Sequence, residues 1–450
     1  MSLKILLIAY AVPPSAEVGG NRIVGFCKYL PEFGIQPVIL TVQDRFHKQL
    51  DHTLMVPAAT QVIRTVQHAT PLDWYANWKS RPTLTASPKD DNGPKARGTH
   101  LALLPVWRRH LLSALSIPDE YWGWYFPAML AGGRLLKNEK FDAILSTSPP
   151  HTDHLIGLSL KKQFHIPWIL DLRDPWINKE SLLTSQPKWR LDLEVRMEAS
   201  CVKSADLVVC NTDWQHGVMC DRYKTLPQEK FVTLTNGFDD VETPPNMDSK
   251  KHKPLRCLHL GGIYKGRRID TFCAGLSILV KEQLLDPDAV KVLFIGHTDE
   301  SQIAACRQVA GELIDSGMIA FHQRMNREAS RQFLWDADLL LVFQGVYRAQ
   351  IPLKFYEYLL TGKPIFAVAE EGALSDVISE TGIGIWAREE DPREIGEKFL
   401  LALALPALQV EAVRQRWEKR FHFRSLSRQL AKWIRELVDG QRTYQKGSTT

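Results

Sequence analysis

Lys354 and Glu357 stand one helical turn apart in the otherwise apolar stretch "IPLKFYEYLLTGKPIFAV", residues 351–368. Pro352 suits the first turn of a helix and Gly362 its stop. Leu353, Phe355, Tyr356, Leu359 and Leu360 would cover most of that helix, so it should be buried on several sides. A lysine in the first turn opposes the helix dipole by a few tenths of a kcal/mol to about 1. A phosphate bound at the helix N-terminus would reverse that sign. Glu357, one turn deeper, could accept from two neighbouring hydroxyls, as on a ribose. The other reading of the pair is an exposed i,i+3 ion pair worth roughly 0.3–0.5 kcal/mol.

Three further motifs could bear on the same chemistry. In "PPSAEVGGNR", Gly19 and Gly20 separate a strand from a helix and let backbone approach an anion. The spacing is neither GxGxxG nor a P-loop, and a plain turn fits it too. In "LGGIYKGRR", Gly261, Gly262 and Gly266 are interleaved with Lys265, Arg267 and Arg268, which suits a diphosphate or a solvated basic turn. "STSPPHTDH" and "DLRDPW" each follow an apolar strand, which places His151, Asp171, Arg173 and Asp174 at strand C-terminal ends, the ligand edge of an open α/β sheet. His151 could donate to a sugar hydroxyl or accept a proton. The aromatic "YWGWYFPAM" could stack a sugar or wedge a helix into the core, and the core is the preferred reading.

These motifs need sheets to hold them. "LKILLIAY", "QPVILTV", "FDAILSTS", "IPWILDL", "ADLVVCNT" and "FVTLTNGFD" read as strands of a first α/β domain over residues 1–240. Residues 69–100 carry no period and read as a surface insertion, and 241–254 as a linker. "LRCLHLGG", "VKVLFIGH", "IAFHQRM", "DLLLVFQ" and "KPIFAVAEE" are strands of a second domain over 255–409. Residues 410–440 read as basic amphipathic helices, with Trp417, Phe421, Leu426, Leu430, Trp433 and Leu437 as apolar points.

At 450 residues the chain is too long for one ordinary core. Hydrophobic residues at 44% and charged ones at 24% are those of a soluble globular protein, and a net charge of +5 allows an anionic ligand or membrane surface without requiring one. Seven cysteines without a CxxC pair fit core thiols in a reducing compartment rather than a zinc site. "MSLKILLIAYAVPP" reads as a buried strand and not as a signal peptide, and no run of about 18 apolar residues predicts a membrane span.

Taken together, "VPPSAEVGGNR", "FDAILSTSPPH", "PWILDLRDPW", "LGGIYKGRR" and "IPLKFYEYLLTGKPIFAV" resemble the family 4 glycosyltransferases of the GT-B fold over nearly the whole chain. "IPDEYWGWYFPA" ahead of "SPPH" and "DLRDPW" is similar to a bacterial subgroup acting in surface polysaccharide synthesis, such as lipopolysaccharide or exopolysaccharide. The resemblance implies two Rossmann-like domains facing a cleft, with a nucleotide-diphosphate sugar bound mainly by the C-terminal one and the acceptor by the N-terminal one. It implies that Glu357 holds the ribose, Lys354 and Arg267 the diphosphate, and the main chain around Met325 the base. Gly19 and Gly20 would face the phosphates and the sugar, His151 would sit near the transferred sugar, and the last helix would cross back to the N-terminal domain. Where many members carry a further Glu eight residues before the ribose Glu, this chain has Ala349; Gln350 or main chain near Tyr347 would have to fill that role.

The implied reaction is sugar transfer with retention, in which preorganised cations and amides stabilise the diphosphate leaving group. Lysine and arginine would take the place of a metal, and no cofactor is expected. Closure of the domains would exclude water. The alternatives are a sugar-nucleotide epimerase or hydrolase on the same fold, and a catalytically degenerate scaffold, which Ala349 favours. A Rossmann dehydrogenase lacks its fingerprint here. The expected location is the cytoplasm, with "PVWRRHLLSAL" and the basic C-terminal helix as possible contacts with the anionic inner leaflet. No nucleic-acid partner is expected.

Overall fold

The computed structural model describes residues 2–17, 19–71, 73, 113–177, 187–240, 251–263, 266–325 and 327–447. Residues 74–100 of the expected insertion, 105–112 of the basic apolar segment, 241–250 of the linker, and Lys265 lie outside them. The chain divides into two compact units, Met1–Cys210 with Tyr223–Val232 and Ser427–Thr450, and Asn211–Arg222 with Thr233–Leu426.

The first unit contains β1 (Leu3–Ile8), α1 (Gly20–Tyr29), β2 (Ile35–Val42), β3 (Gln61–Thr65), α2 (Tyr125–Asn138), β4 (Ala143–Ser148), α3 (Thr152–Phe164), β5 (Trp168–Leu172), α4 (Lys188–Ser204), β6 (Leu207–Cys210) and β7 (Phe231–Thr233). Its sheet has the order β3-β2-β1-β4-β5-β6-β7. Strands β3 to β6 pair in parallel, with Ile5 opposite both Pro37 and Ala143. A parallel sheet is covered on both faces, so its strands are apolar runs rather than alternating ones. Every residue of β4 and β5 is buried, and Trp124 and Trp168 fill the layers beside them.

The second unit holds α5 (Asp213–Arg222), β8 (Leu255–Leu260), α6 (Asp270–Lys281), β9 (Val290–Ile295), α7 (Glu300–Asp315), β10 (Ile319–His322), α8 (Arg327–Asp336), β11 (Leu339–Gly345), α9 (Leu353–Leu359), β12 (Ile365–Ala369), α10 (Ala373–Thr381), β13 (Gly384–Ala387), α11 (Pro392–Ala404) and α12 (Val410–Phe421). A last helix, α13 (Phe423–Gly447), groups with the first unit from Ser427 onward. The second sheet is parallel throughout, in the order β10-β9-β8-β11-β12-β13. Strand alternation splits its core in two. Cys257, Leu341 and Phe366 pack with Phe272 and Phe399 on one face, and Leu258, Leu340 and Ala367 pack with Phe355 and Leu359 on the other.

Each strand order reverses once, between β1 and β4 in the first sheet and between β8 and β11 in the second. At such a point the two loops leaving the strand C-termini diverge, and a ligand can sit between them.

Candidate functional site

In the second unit the sequence-predicted residues gather at the C-terminal ends of β8, β10 and β11. Gly261 and Gly262 follow β8, Arg267 lies on the loop after them, Met325 follows β10, and Lys354 and Glu357 are on α9. Pro352 precedes α9, and Gly362 ends it in the left-handed region at φ +68°. A Cβ at Gly362 would lie 2.2 Å from the carbonyl of Leu408. Phe355, Tyr356, Tyr358 and Leu359 are buried, as the apolar pattern requires.

Lys354 does not form the exposed pair that its spacing from Glu357 allows. Its Nζ lies 3.1 Å from Nε2 of His259, a residue buried completely at the end of β8. His259 Nδ1 lies 2.9 Å from the carbonyl of Leu341. A carbonyl only accepts, so Nδ1 carries the proton and Nε2 presents its lone pair to the lysine. A Cβ on Gly261 would stand 2.7 Å from Lys354 Nζ, and Gly261 has φ +120°, so the position excludes side chains twice over. Burial, then repulsion from Arg267, pushes the lysine amine well below its ordinary value, and Glu357 opposes the shift. Two cations are thus held close together against bare backbone. With only seven residues in α9, it is this pair, rather than a helix dipole, that favours an anion.

Arg267 Nη1 donates to the carbonyl of Gly262 at 3.0 Å. Its loop is seated on β11, where a Cβ at Gly345, φ +64°, would meet the Gly266 carbonyl at 1.7 Å. Arg268, by contrast, is spent on Asp270 at 2.9 Å. Glu357 is exposed, and Met325 is half-buried against the apolar cluster that includes Leu359. The Ala349 carbonyl accepts from Thr212 Oγ1 at 2.7 Å. Gln344, which the sequence reading passed over, donates to the carbonyls of Tyr347 and Gln350 at 3.0 and 3.2 Å and ties down that loop.

In the first unit Gly19, Gly20, His151, Arg173 and Asp174 follow β1, β4 and β5. Arg173 lies across Gly19, whose Cβ would be 2.8 Å from its Nη1, and it donates from Nε to the Ser148 carbonyl at 3.2 Å. Asp174 is half-exposed and 3.4 Å from Arg173 Nη2. Asp171 corrects the expectation that it lines a ligand edge. It is 1% exposed, and its carboxylate accepts from Arg22 Nε and Nη2 at 2.9 and 2.8 Å and from Thr147 Oγ1 at 2.7 Å. A buried guanidinium drew it inward: Arg22 closes the "PPSAEVGGNR" motif, but nothing in that motif's pattern assigned it this partner.

His151 stacks on Trp176 with ring centroids 4.6 Å apart. Burial and then the neighbouring Arg173 pull its pKa down to about 3. It is therefore a neutral imidazole at physiological pH, suited to hydrogen bonding and a poor proton acceptor. Around it, His151 Nδ1, Ser148 Oγ, Asp153 Oδ1 and Trp176 Nε1 are buried without a hydrogen-bond partner among the described residues. Ser148 and Asp153 line a small cavity together with Gly19 and Arg173. Burial raises the Asp153 carboxyl well above its ordinary range, and its other oxygen accepts from the Tyr10 amide at 2.9 Å. Buried polar groups rarely lack partners, and here four of them lie close together at the ends of β4 and β5.

Among the described residues, the carboxylate–histidine group close enough to hold a metal is Asp239, Asp240 and His422, which is not at these strand ends. No helix among them is long and apolar enough to cross a membrane.

No protein-family model matches the chain, and no curated protein matches its sequence. Solved structures do match its fold. Sucrose-phosphate synthase from Thermosynechococcus elongatus is similar with a TM-score of 0.65 at 14% identity, over 97% of this chain and 100% of that one. HepE from Anabaena, in complex with UDP and glucose, is similar with a TM-score of 0.60 at 14% identity, over 96% and 99%. WaaG, a glycosyltransferase involved in lipopolysaccharide biosynthesis, is similar with a TM-score of 0.56 at 14% identity, over 96% and 99%. The chain has the GT-B fold.

Proposed function

We propose that this protein is a retaining glycosyltransferase that moves a sugar from a nucleotide-diphosphate sugar to a glycan or lipid-linked acceptor in cell-surface polysaccharide synthesis. The observation that carries the reading is the fixed amine of Lys354, beside Arg267 and the side-chain-free backbone of Gly261, with Glu357 one turn further along α9. Two cations against open backbone suit a diphosphate, and an exposed carboxylate at that distance suits a ribose diol. HepE in complex with UDP and glucose supports a donor of this class.

As the sugar–phosphate bond breaks, negative charge grows on the departing diphosphate. Lys354 and Arg267 are already in place to receive it, so little reorganisation accompanies the step. Binding of the anion also counters the burial and the repulsion from Arg267 that lower the Lys354 amine, and so favours its charged form. These residues supply the positive charge that a metal would otherwise bring. In the first unit, neutral His151, Asp153 and Ser148 offer hydrogen-bonding groups to the hydroxyls of an acceptor. With a lipid-linked acceptor, the site of action is the cytoplasmic face of the inner membrane.

The test is calorimetric titration with UDP, GDP, ADP, CDP and dTDP, followed by product analysis with the matching sugar nucleotides. One diphosphate should bind in the micromolar range, and sugar should appear on an added lipid-linked glycan. Binding of none of the five would overturn the proposal in favour of a scaffold. Release of free sugar that added acceptor neither captures nor accelerates would replace it with a hydrolase.

A further inference from the structure

We propose that His259 is the positioning residue of the diphosphate site: its fixed tautomer holds the Lys354 ammonium in the notch left by Gly261. The inference deepens the donor-site reading above and rests on it.

Three observations converge. His259 interrupts an apolar strand, "LRCLHL", at a position where the sheet interior calls for a hydrocarbon side chain. It is wholly buried, with its ring against those of Phe343 and Phe294 at 5.3 and 6.0 Å. A polar group in such a place persists only if its hydrogen bonds are made. One is made to the Leu341 carbonyl, on the neighbouring strand across the switch point, and the other to Lys354 Nζ. The first bond dictates the second. With Nδ1–H committed to Leu341, Nε2 can only accept, so it takes one of the three lysine protons and leaves two for a ligand.

The device also fixes where the ammonium stands. A free lysine loses rotamer entropy on binding an anion, whereas this one is ordered beforehand. The same strand end grips α9 a second time, through the Leu260 amide donating to Tyr358 Oη at 2.9 Å, so the helix that carries the lysine is held as well. Burial and the neighbouring cations hold the His259 ring well below its ordinary pKa, which keeps the accepting lone pair available.

The experiment is a double-mutant cycle on the intact chain, read as the dissociation constants of UDP and of inorganic pyrophosphate by calorimetry. His259→Leu should weaken both ligands by tenfold or more at an unchanged fold. His259→Gln, which places an acceptor near the Nε2 position, should restore most of the affinity, while His259→Asn should not. In a Lys354→Met background, His259→Leu should cause no further loss, because the histidine acts through the lysine. Equal losses in both backgrounds would show that His259 contributes packing alone, and would overturn the proposal. So would undiminished binding by His259→Leu while Lys354→Met binds weakly, and in that case the donor-site reading would stand. If Lys354→Met itself binds both ligands normally, the donor-site reading fails, and His259 loses its role with it.

Discussion

Exchanging Lys354 for methionine keeps a long unbranched side chain and removes the charge at the head of the candidate site. The structure sets two opposed effects on the ligand-free protein. Relief of a half-buried ammonium next to Arg267 is favourable, while the His259 Nε2 acceptor loses its donor, at about 1–3 kcal/mol. The ligand-free melting temperature should therefore move little, and Lys354→Met with His259→Leu, which removes both partners, should melt at or above the parent. The effect on ligand is larger. A diphosphate at 100 times its dissociation constant stabilises the parent by about 2.7 kcal/mol. At roughly 2–4 °C per kcal/mol for a unit of 150–250 residues, that is a shift of about 5–11 °C. Loss of one hydrogen bond to a charged group weakens binding by about 1.5–3 kcal/mol, or ten- to a hundredfold. The same nucleotide concentration then leaves about 0.4–1.4 kcal/mol of stabilisation. Differential scanning fluorimetry with the diphosphate identified by titration reads this directly, since the shift should fall to half or less. A full shift in the methionine variant would refute the assignment of Lys354 as a ligand grip.

Gly261→Ala should weaken pyrophosphate binding in calorimetry at least as much, because the new methyl would stand 2.7 Å from the lysine amine and displace it, and the residue sits at φ +120°. Arg22→Met should lower the urea midpoint by the equivalent of about 3–5 kcal/mol, since it strands the buried Asp171 carboxylate; a change below about 1 kcal/mol would contradict that pairing. Acid should destabilise the protein early. With a native pKa of about 3 for His151 against an unfolded value of about 6.5, the unfolded chain binds more protons throughout that interval, so stability falls as pH drops below about 6.5. Urea midpoints between pH 7.5 and 5 should show the fall, and His151→Asn should flatten it. A slope unchanged by that substitution would remove His151 from the account.

The central strands were legible because a parallel sheet buries both faces, and so writes unbroken apolar runs into the sequence. The strands that the pattern did not mark, β3 and β13, are the opposite case. Each lies at an edge of its sheet, Gln61–Thr65 beside β2 and Gly384–Ala387 beside β12, and neither is fully buried. Half-covered edge strands carry a weaker apolar signal than central ones, although the other two edge strands, β7 and β10, were still legible.

What the sequence determined by itself was the order of the central strands, the helix that carries Lys354 and Glu357, and the placing of His151, Arg173 and Asp174 after strand ends, because local pattern and loop chemistry travel with the chain. What it could not determine was which charges would be used up. Asp171 and Arg173 stand two residues apart in one motif, yet Asp171 turns inward to Arg22, 149 residues away in sequence, while Arg173 lies over Gly19. His259 and Lys354 are 95 residues apart and belong to different elements. Hydrogen-bond partners of this kind are chosen by the packing of strands that meet only in the folded sheet, so only the tertiary structure decided which polar groups were committed to the core and which stayed at the strand ends.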